Sequence, residues 1–154
     1  METLDDLLAK HHFFQGLNAE DLKFLAGCAS NVHFDAGQYL LREGEEAERF
    51  YAIRDGTVAV EIHVPDRGPV VVQTIGPGEI LGWSWLFPPF RWQFDARARG
   101  EVRATVFDGA CVRKKCDTNP ALGYEMMKRL AYLVSQRLEA TRVQLLDLYG
   151  SARS

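Results

Sequence analysis

The stretch Phe50-Tyr51-Ala52-Ile53-Arg54-Asp55-Gly56-Thr57-Val58-Ala59-Val60-Glu61-Ile62 decides the fold class. Two β-branched and aromatic runs flank Asp55-Gly56, a pair that tolerates the positive φ of a tight turn, so the stretch reads as two strands joined as a hairpin. The same texture continues on both sides. Tyr39-Leu40-Leu41, Val70-Val71-Val72-Gln73-Thr74-Ile75 and Ala104-Thr105-Val106-Phe107 are further short strand candidates. Between them lie the turn residues Asp35-Ala36-Gly37, Glu43-Gly44, Pro65-Asp66-Arg67-Gly68-Pro69 and Gly76-Pro77-Gly78. Short strands at this spacing, separated by glycine turns, predict a β-sandwich or barrel.

Helical patterns bracket that region. Leu4, Leu7 and Leu8, then Leu22, Leu25 and Ala26, recur at helical spacing, and Asn18 before Glu20 and Asp21 reads as a helix start. Asn119-Pro120 pairs a capping residue with a first-turn proline. One helix over residues 120–148 would be about 43 Å long at 1.5 Å per residue. Within it Tyr124, Met127, Ala131, Val134, Leu138, Thr141, Leu145 and Leu148 follow a heptad seam, while Met126, Leu130 and Leu133 form a second face suited to docking on the strands. The reading is therefore one domain over residues 1–154: N-terminal helices over 1–30, a β-barrel of the double-stranded β-helix (jelly-roll) type over 31–115, and a long C-terminal helix over 119–149. The seam predicts a homodimer through that helix. The alternative is a helix packed only on its own strands.

The chain has 154 residues, 47% hydrophobic and 25% charged, with a formal net charge of -3. That size supports a core without staples, and that charge offers no field for nucleic acid. No apolar run reaches the length of a membrane span, and the acidic start Met1-Glu2-Thr3 lacks the form of a secretory signal. Cys28, Cys111 and Cys116 are read as reduced thiols of a cytoplasmic protein. Cys111 and Cys116 alone cannot fill a tetrahedral metal site, so no metal is expected. The four histidines, His11, His12, His33 and His63, include no His-x-His pair, and no nucleophile motif is present. The expectation is a non-enzyme. His11-His12 beside Phe13-Phe14 is expected to cap the helices against the strands.

Asp35-Ala36-Gly37-Gln38-Tyr39-Leu40-Leu41-Arg42-Glu43-Gly44-Glu45, together with Phe50 to Val60, resembles the first half of a cyclic-nucleotide-binding domain. Gly76-Pro77-Gly78-Glu79-Ile80-Leu81-Gly82 resembles the start of its phosphate-binding cassette. Arg137-Leu138-Glu139-Ala140-Thr141 resembles the dimer helix of the catabolite-activator (Crp/Fnr) branch. The resemblance implies a regulatory domain with cAMP or cGMP as ligand, the cyclic phosphate lying against backbone N–H groups where a short helix begins. On that basis Gly78 would admit the phosphate, Glu79 would take the ribose hydroxyl, and Ile80 and Leu81 would supply the first free N–H groups. Arg137 and Thr141 would reach the ligand from the long helix.

The resemblance fails at the family's phosphate arginine. Counted back from Ala98, Trp92 stands in that place and Gln93 where Ser or Thr is expected. Arg91, one position off after Pro88-Pro89, and Arg97, which strand alternation turns to the other face, are the substitute cations. Arg142 replaces the small polar residue after the helix threonine. The cassette also gathers Trp83, Trp85, Phe87, Phe90, Trp92 and Phe94. Those rings either fill the pocket or line one for another flat ligand. Two functions follow: a ligand-sensing regulatory domain signalling through its C-terminal helix to an unknown protein partner, or a dimeric interaction module with an aromatic-filled pocket that binds no cyclic nucleotide. The sequence ends at Gly150-Ser151-Ala152-Arg153-Ser154 with no DNA-reading helix, so direct nucleic-acid contact is not expected, and without an apolar run of span length no membrane contact is expected either.

Overall fold

A computed structural model describes residues 3–152. Eight strands make two four-stranded antiparallel sheets. They are β1 (Ala29–Phe34), β2 (Tyr39–Leu41), β3 (Arg49–Asp55), β4 (Val58–Val64), β5 (Gly68–Ile75), β6 (Ile80–Leu81), β7 (Asp95–Ala98) and β8 (Val102–Asp108). The sheet orders are β1-β8-β3-β6 and β2-β7-β4-β5, the pairing of a jelly roll. The two sheets do not close on each other as a barrel, which corrects that part of the expectation. Their inner faces meet where the Tyr51 hydroxyl donates to the Leu40 carbonyl.

The Asp55-Gly56 turn is a second correction. β3 pairs with β8 and β6, whereas β4 pairs with β5 and β7, so the turn carries the chain from one sheet to the other and makes no hairpin. Gly56 has φ +86°, and an added Cβ would run into the Glu101 carbonyl. Turn chemistry reports how sharply the chain bends. Which strand it then joins is a non-local choice.

Four helices surround the sheets: α1 (Leu4–Lys10), α2 (Ala19–Ala26), α3 (Gly109–Thr118) and α4 (Pro120–Ala152), with 3-10 turns at His12–Phe14 and Ser84–Leu86. Asn18 Oδ1 accepts from the Asp21 amide at 2.7 Å, and Asn119 Oδ1 from the Leu122 amide at 3.2 Å, so both expected caps operate. The expected barrel region runs to residue 115, and α3 takes up its last residues from Gly109 onward. Asp108 stops β8 and caps α3 by accepting from the Cys111 amide at 2.8 Å, so the strands end at 108 rather than 115. Outside the first sheet, Phe50 stacks on Phe107 at 4.7 Å and on Trp85 at 4.6 Å, and Phe14 closes over Phe107. Leu122, Met126 and Leu130 bury the first turns of α4 in the core. Beyond residue 133 most of α4 stands in solvent.

Cys28 and Cys111 form a disulfide joining the segment after α2 to the start of α3, so the reduced-thiol expectation fails for two of the three cysteines. Their Cα atoms are 5.6 Å apart because β1 and β8 are paired, a proximity that 83 residues of separation conceal. Cys116 is free. Among the described residues no group of three or more His, Cys, Asp or Glu could hold a metal. No helix among them is long and apolar enough to cross a membrane.

Candidate functional site

The cassette begins four residues later than its sequence suggested. Ile80 and Leu81 are strand β6, opposite Ala52 and Tyr51, and both are fully buried. They are apolar residues with both faces covered, and they spend their backbone on the sheet rather than on a helix start. The short helix is the 3-10 turn Ser84–Leu86, preceded by Gly82 and Trp83 and lacking a side-chain cap. Glu79 closes a turn: its Oε1 accepts from the Gly76 amide at 3.0 Å. The Gly78 amide donates to Ile53 O, and the Ile53 amide to Glu79 O, each at 3.0 Å, clamping the turn to the end of β3.

The aromatics divide the ground in front of that turn. Trp85 is core, its Nε1 donating to Gly82 O at 3.2 Å. Trp92, only 4% exposed, lies over Gly82: a Cβ added there would stand 2.7 and 2.8 Å from two of its ring carbons. Gly82 has φ +96°, and its missing side chain is the space the indole occupies. Phe94 packs 6.4 Å from the same ring. Trp83 lies under the Arg137 guanidinium at 4.8 Å.

The candidate cations separate. Arg91 points along the rim, donating to Gly44 O at 3.2 Å and lying 3.9 Å from Glu46, and its side chain is 50% exposed. Gln93 folds back to donate to Arg91 O. Arg97 alternates with the buried Ala96 and Ala98 and pairs on the outer sheet face with Glu61 at 2.7 Å, which holds its guanidinium above the ordinary value. Arg137 reaches the cassette. From α4 it donates to Ile80 O and covers Trp83, and its Nε is buried without a hydrogen-bond partner among the described residues. Burial pulls its pKa down to about 10, against the opposing pull of the Glu79 carboxylate. Thr141 does not reach the site. Its hydroxyl is exposed and donates to Arg137 O one turn back, at 2.9 Å. Arg142 pairs with Glu139 at 3.6 Å in solvent.

The structure thus gathers Gly78, Glu79, Ile80, Leu81 and Arg137, sets Trp92 over Gly82, and leaves Arg91, Gln93, Arg97 and Thr141 outside. Sequence reasoning missed Gly82, because the nearer Gly78-Glu79 matched the motif first. The aromatic density after it was the available signal. A cavity of about 240 Å³ opens between the Gly78-Glu79 turn, the 3-10 turn after α1 and α4, with Glu79, Arg129 and Leu133 in its wall.

The chain belongs to the cyclic nucleotide-binding domain family, whose model matches residues 31–119. That family is one of regulatory and sensor domains rather than enzymes. The chain is 28% identical over 145 residues to a CRP-like cAMP-activated global transcriptional regulator of Mycobacterium tuberculosis (strain H37Rv), covering 94% of this chain and 63% of that regulator. It therefore spans somewhat under two thirds of that relative's length. Among solved structures, a cyclic nucleotide-binding domain from Methylobacillus flagellatus KT superposes with TM-score 0.79 at 19% identity, covering 94% of this chain and 81% of the other. The sensor domain of the transcriptional regulator DNR from Pseudomonas aeruginosa superposes at 0.71 with 21% identity, covering 88% and 91%. Both likenesses concern the fold alone.

Proposed function

We propose that this chain is a ligand-sensing regulatory domain that passes a change at its cassette to α4 through Arg137. The observation that carries the reading is the Arg137 contact itself. One half-buried guanidinium on the signalling helix holds both the β6 backbone, at Ile80 O, and the ring that precedes the cassette helix, Trp83. A ligand that moves Gly82 and Trp83 must break or reshape that contact. The shift of α4 is then bounded by the ligand's differential affinity for the two arrangements. cAMP or cGMP is the proposed ligand class, and either would have to displace Trp92 from Gly82. Calorimetry and thermal shift with both nucleotides test this; no heat and no shift with either would sink the nucleotide version.

Trp92 over Gly82 favours a second reading, a dimeric interaction module whose pocket is filled. In either case the proposed dimer runs through α4. Leu138 and Leu148 are 52% and 69% exposed, and an apolar helix face of this length calls for a partner. The cytoplasm is the proposed compartment. The Cys28–Cys111 disulfide weighs against it, since such bonds are rare there, and thiol trapping in cells would decide.

A further inference from the structure

The Cys28–Cys111 bond sits at a junction. Cys28 follows α2, and Cys111 is in the first turn of α3. α3 in turn grips the cassette. Arg113 donates to Trp85 O in the 3-10 turn Ser84–Leu86 and covers the Phe90 ring at 4.9 Å. A Cβ added at Gly109 would stand 3.0 Å from the Trp85 Cβ. At its far end α3 gives way to Asn119, whose side chain caps α4. The disulfide therefore anchors a helix that touches the cassette at one point and leads into α4 at another.

The two sulfurs are unequal. Cys28 is 8% exposed, whereas Cys111 is partly open to solvent. A small thiolate from solvent meets Cys111 first. Its attack on the Cys111 Sγ forms a mixed disulfide there and expels the Cys28 sulfur as a thiolate, which takes up a proton. A nearby cation favours that leaving group. The Lys115 ammonium lies 3.9 Å over the Phe24 ring and would be 3.4 Å from a Cβ added at Gly27, the neighbour of Cys28. A second small thiolate then attacks the outer sulfur of the mixed disulfide and releases Cys111, which is protonated in turn. Two small thiols become one small disulfide, their two electrons reduce the protein bond, and their protons end on Cys28 and Cys111. The cysteines stay close afterwards. The Asp108 amide donates to Cys28 O at 2.9 Å, and β1 remains paired with β8 from Ala29 opposite Phe107. A small disulfide can therefore run the same steps backwards. Burial pushes the Cys116 thiol up, which keeps thiolate scarce there.

We infer that Cys28–Cys111 is a reversible redox site for low-molecular-weight thiols and disulfides, and that opening it loosens the hold of α3 on the cassette through Arg113. Within a reducing compartment, disulfides that form are of this transient, redox-sensing kind. The device needs no nucleotide, so it stands or falls separately from the nucleotide reading.

The test equilibrates the full chain in mixtures of reduced and oxidised glutathione, quenches with acid, and alkylates after unfolding. Mass spectrometry then counts one label on the oxidised chain and three on the reduced. The half-reduced point should fall where both glutathione forms are present in measurable amounts. A bond still intact where only traces of oxidised glutathione remain is a permanent staple and overturns the inference. Cys116→Ser should leave the midpoint unchanged, and a shift would place the chemistry at the free thiol instead. Hydrogen exchange reads the coupling. Opening the bond in the wild type should speed exchange in the Ser84–Leu86 turn about tenfold, the loss of roughly one charged hydrogen bond, and leave the β4–β5 hairpin unchanged. Arg113→Gln should make the turn exchange fast in both redox states without moving the glutathione midpoint. Equal exchange of the turn in oxidised and reduced wild type, a comparison that needs no variant to fold, overturns the coupling. So does a redox difference at the turn that survives Arg113→Gln.

Discussion

Gly82→Ala measures directly whether Trp92 fills the cassette. Two penalties combine at this position. A side chain at φ +96° costs roughly 1–2 kcal/mol, because Cβ crowds the backbone in the left-handed region. The added methyl would also stand 2.7 Å from the buried Trp92 ring, and forcing that ring aside costs about 1–3 kcal/mol. The single variant should therefore lose about 2–5 kcal/mol. Trp92→Leu alone removes buried ring atoms and should cost about 2–3 kcal/mol, less than a full truncation to alanine. In the double variant the steric penalty disappears and the φ penalty stays. Gly82→Ala should then cost only about 1–2 kcal/mol, a coupling of about 1–3 kcal/mol, in the range found for residues in contact. Urea denaturation followed by circular dichroism gives the four midpoints, with the slope checked for constancy. If Gly82→Ala costs the same in both backgrounds to within about 0.5 kcal/mol, Trp92 does not occupy the space before Gly82 and the filled-cassette geometry is refuted.

Burial holds the His11 pKa below its usual value, so the unfolded chain takes up a proton near pH 6.5 while the folded chain resists it. That contribution to stability is present above about pH 6.5 and lost as the pH falls below it. Urea midpoints from pH 7.5 to 5 should fall more steeply for the wild type than for His11→Gln. Cys28→Ser with Cys111→Ser should cost about 2–4 kcal/mol, since the bond closes a long loop in the unfolded chain. Dithiothreitol should lower the wild-type midpoint towards the variant's and leave the variant unchanged. Leu138→Glu with Leu145→Glu, both on the exposed α4 seam, should turn a dimer into a monomer in sedimentation velocity without lowering helix content. A wild type that sediments as a monomer at every concentration would refute the seam.

Much of the fold was legible because it rests on local chemistry. Asn18 and Asn119 cap helices with their own side chains, and runs of β-branched and aromatic residues make strands wherever one face can be buried. Asp108 carried a readable cap as well, but it lay inside the segment assigned to the barrel, 31–115. In the site, the glycine-rich segment was found and its register was not. Gly78-Glu79 and Gly82-Trp83 are both glycine pairs after a strand, and only the pairing of Ile80 and Leu81 with β3 shows that the helix starts beyond the second.

The sequence by itself determined a strand-rich domain with a long, two-faced helix after the strands, because periodicity and capping act over a few residues, while the regulatory reading came from the resemblance of its glycine-rich segments to a known family. Tertiary structure alone decided the rest. It sent Asp55-Gly56 between sheets rather than into a hairpin and brought Cys28 to Cys111 across paired strands. It turned Arg91 and Arg97 to Gly44, Glu46 and Glu61, and delivered Arg137 from α4 to Ile80. Each of these joins residues far apart in the chain. Their meeting depends on how the two sheets and α4 pack, which no local pattern encodes.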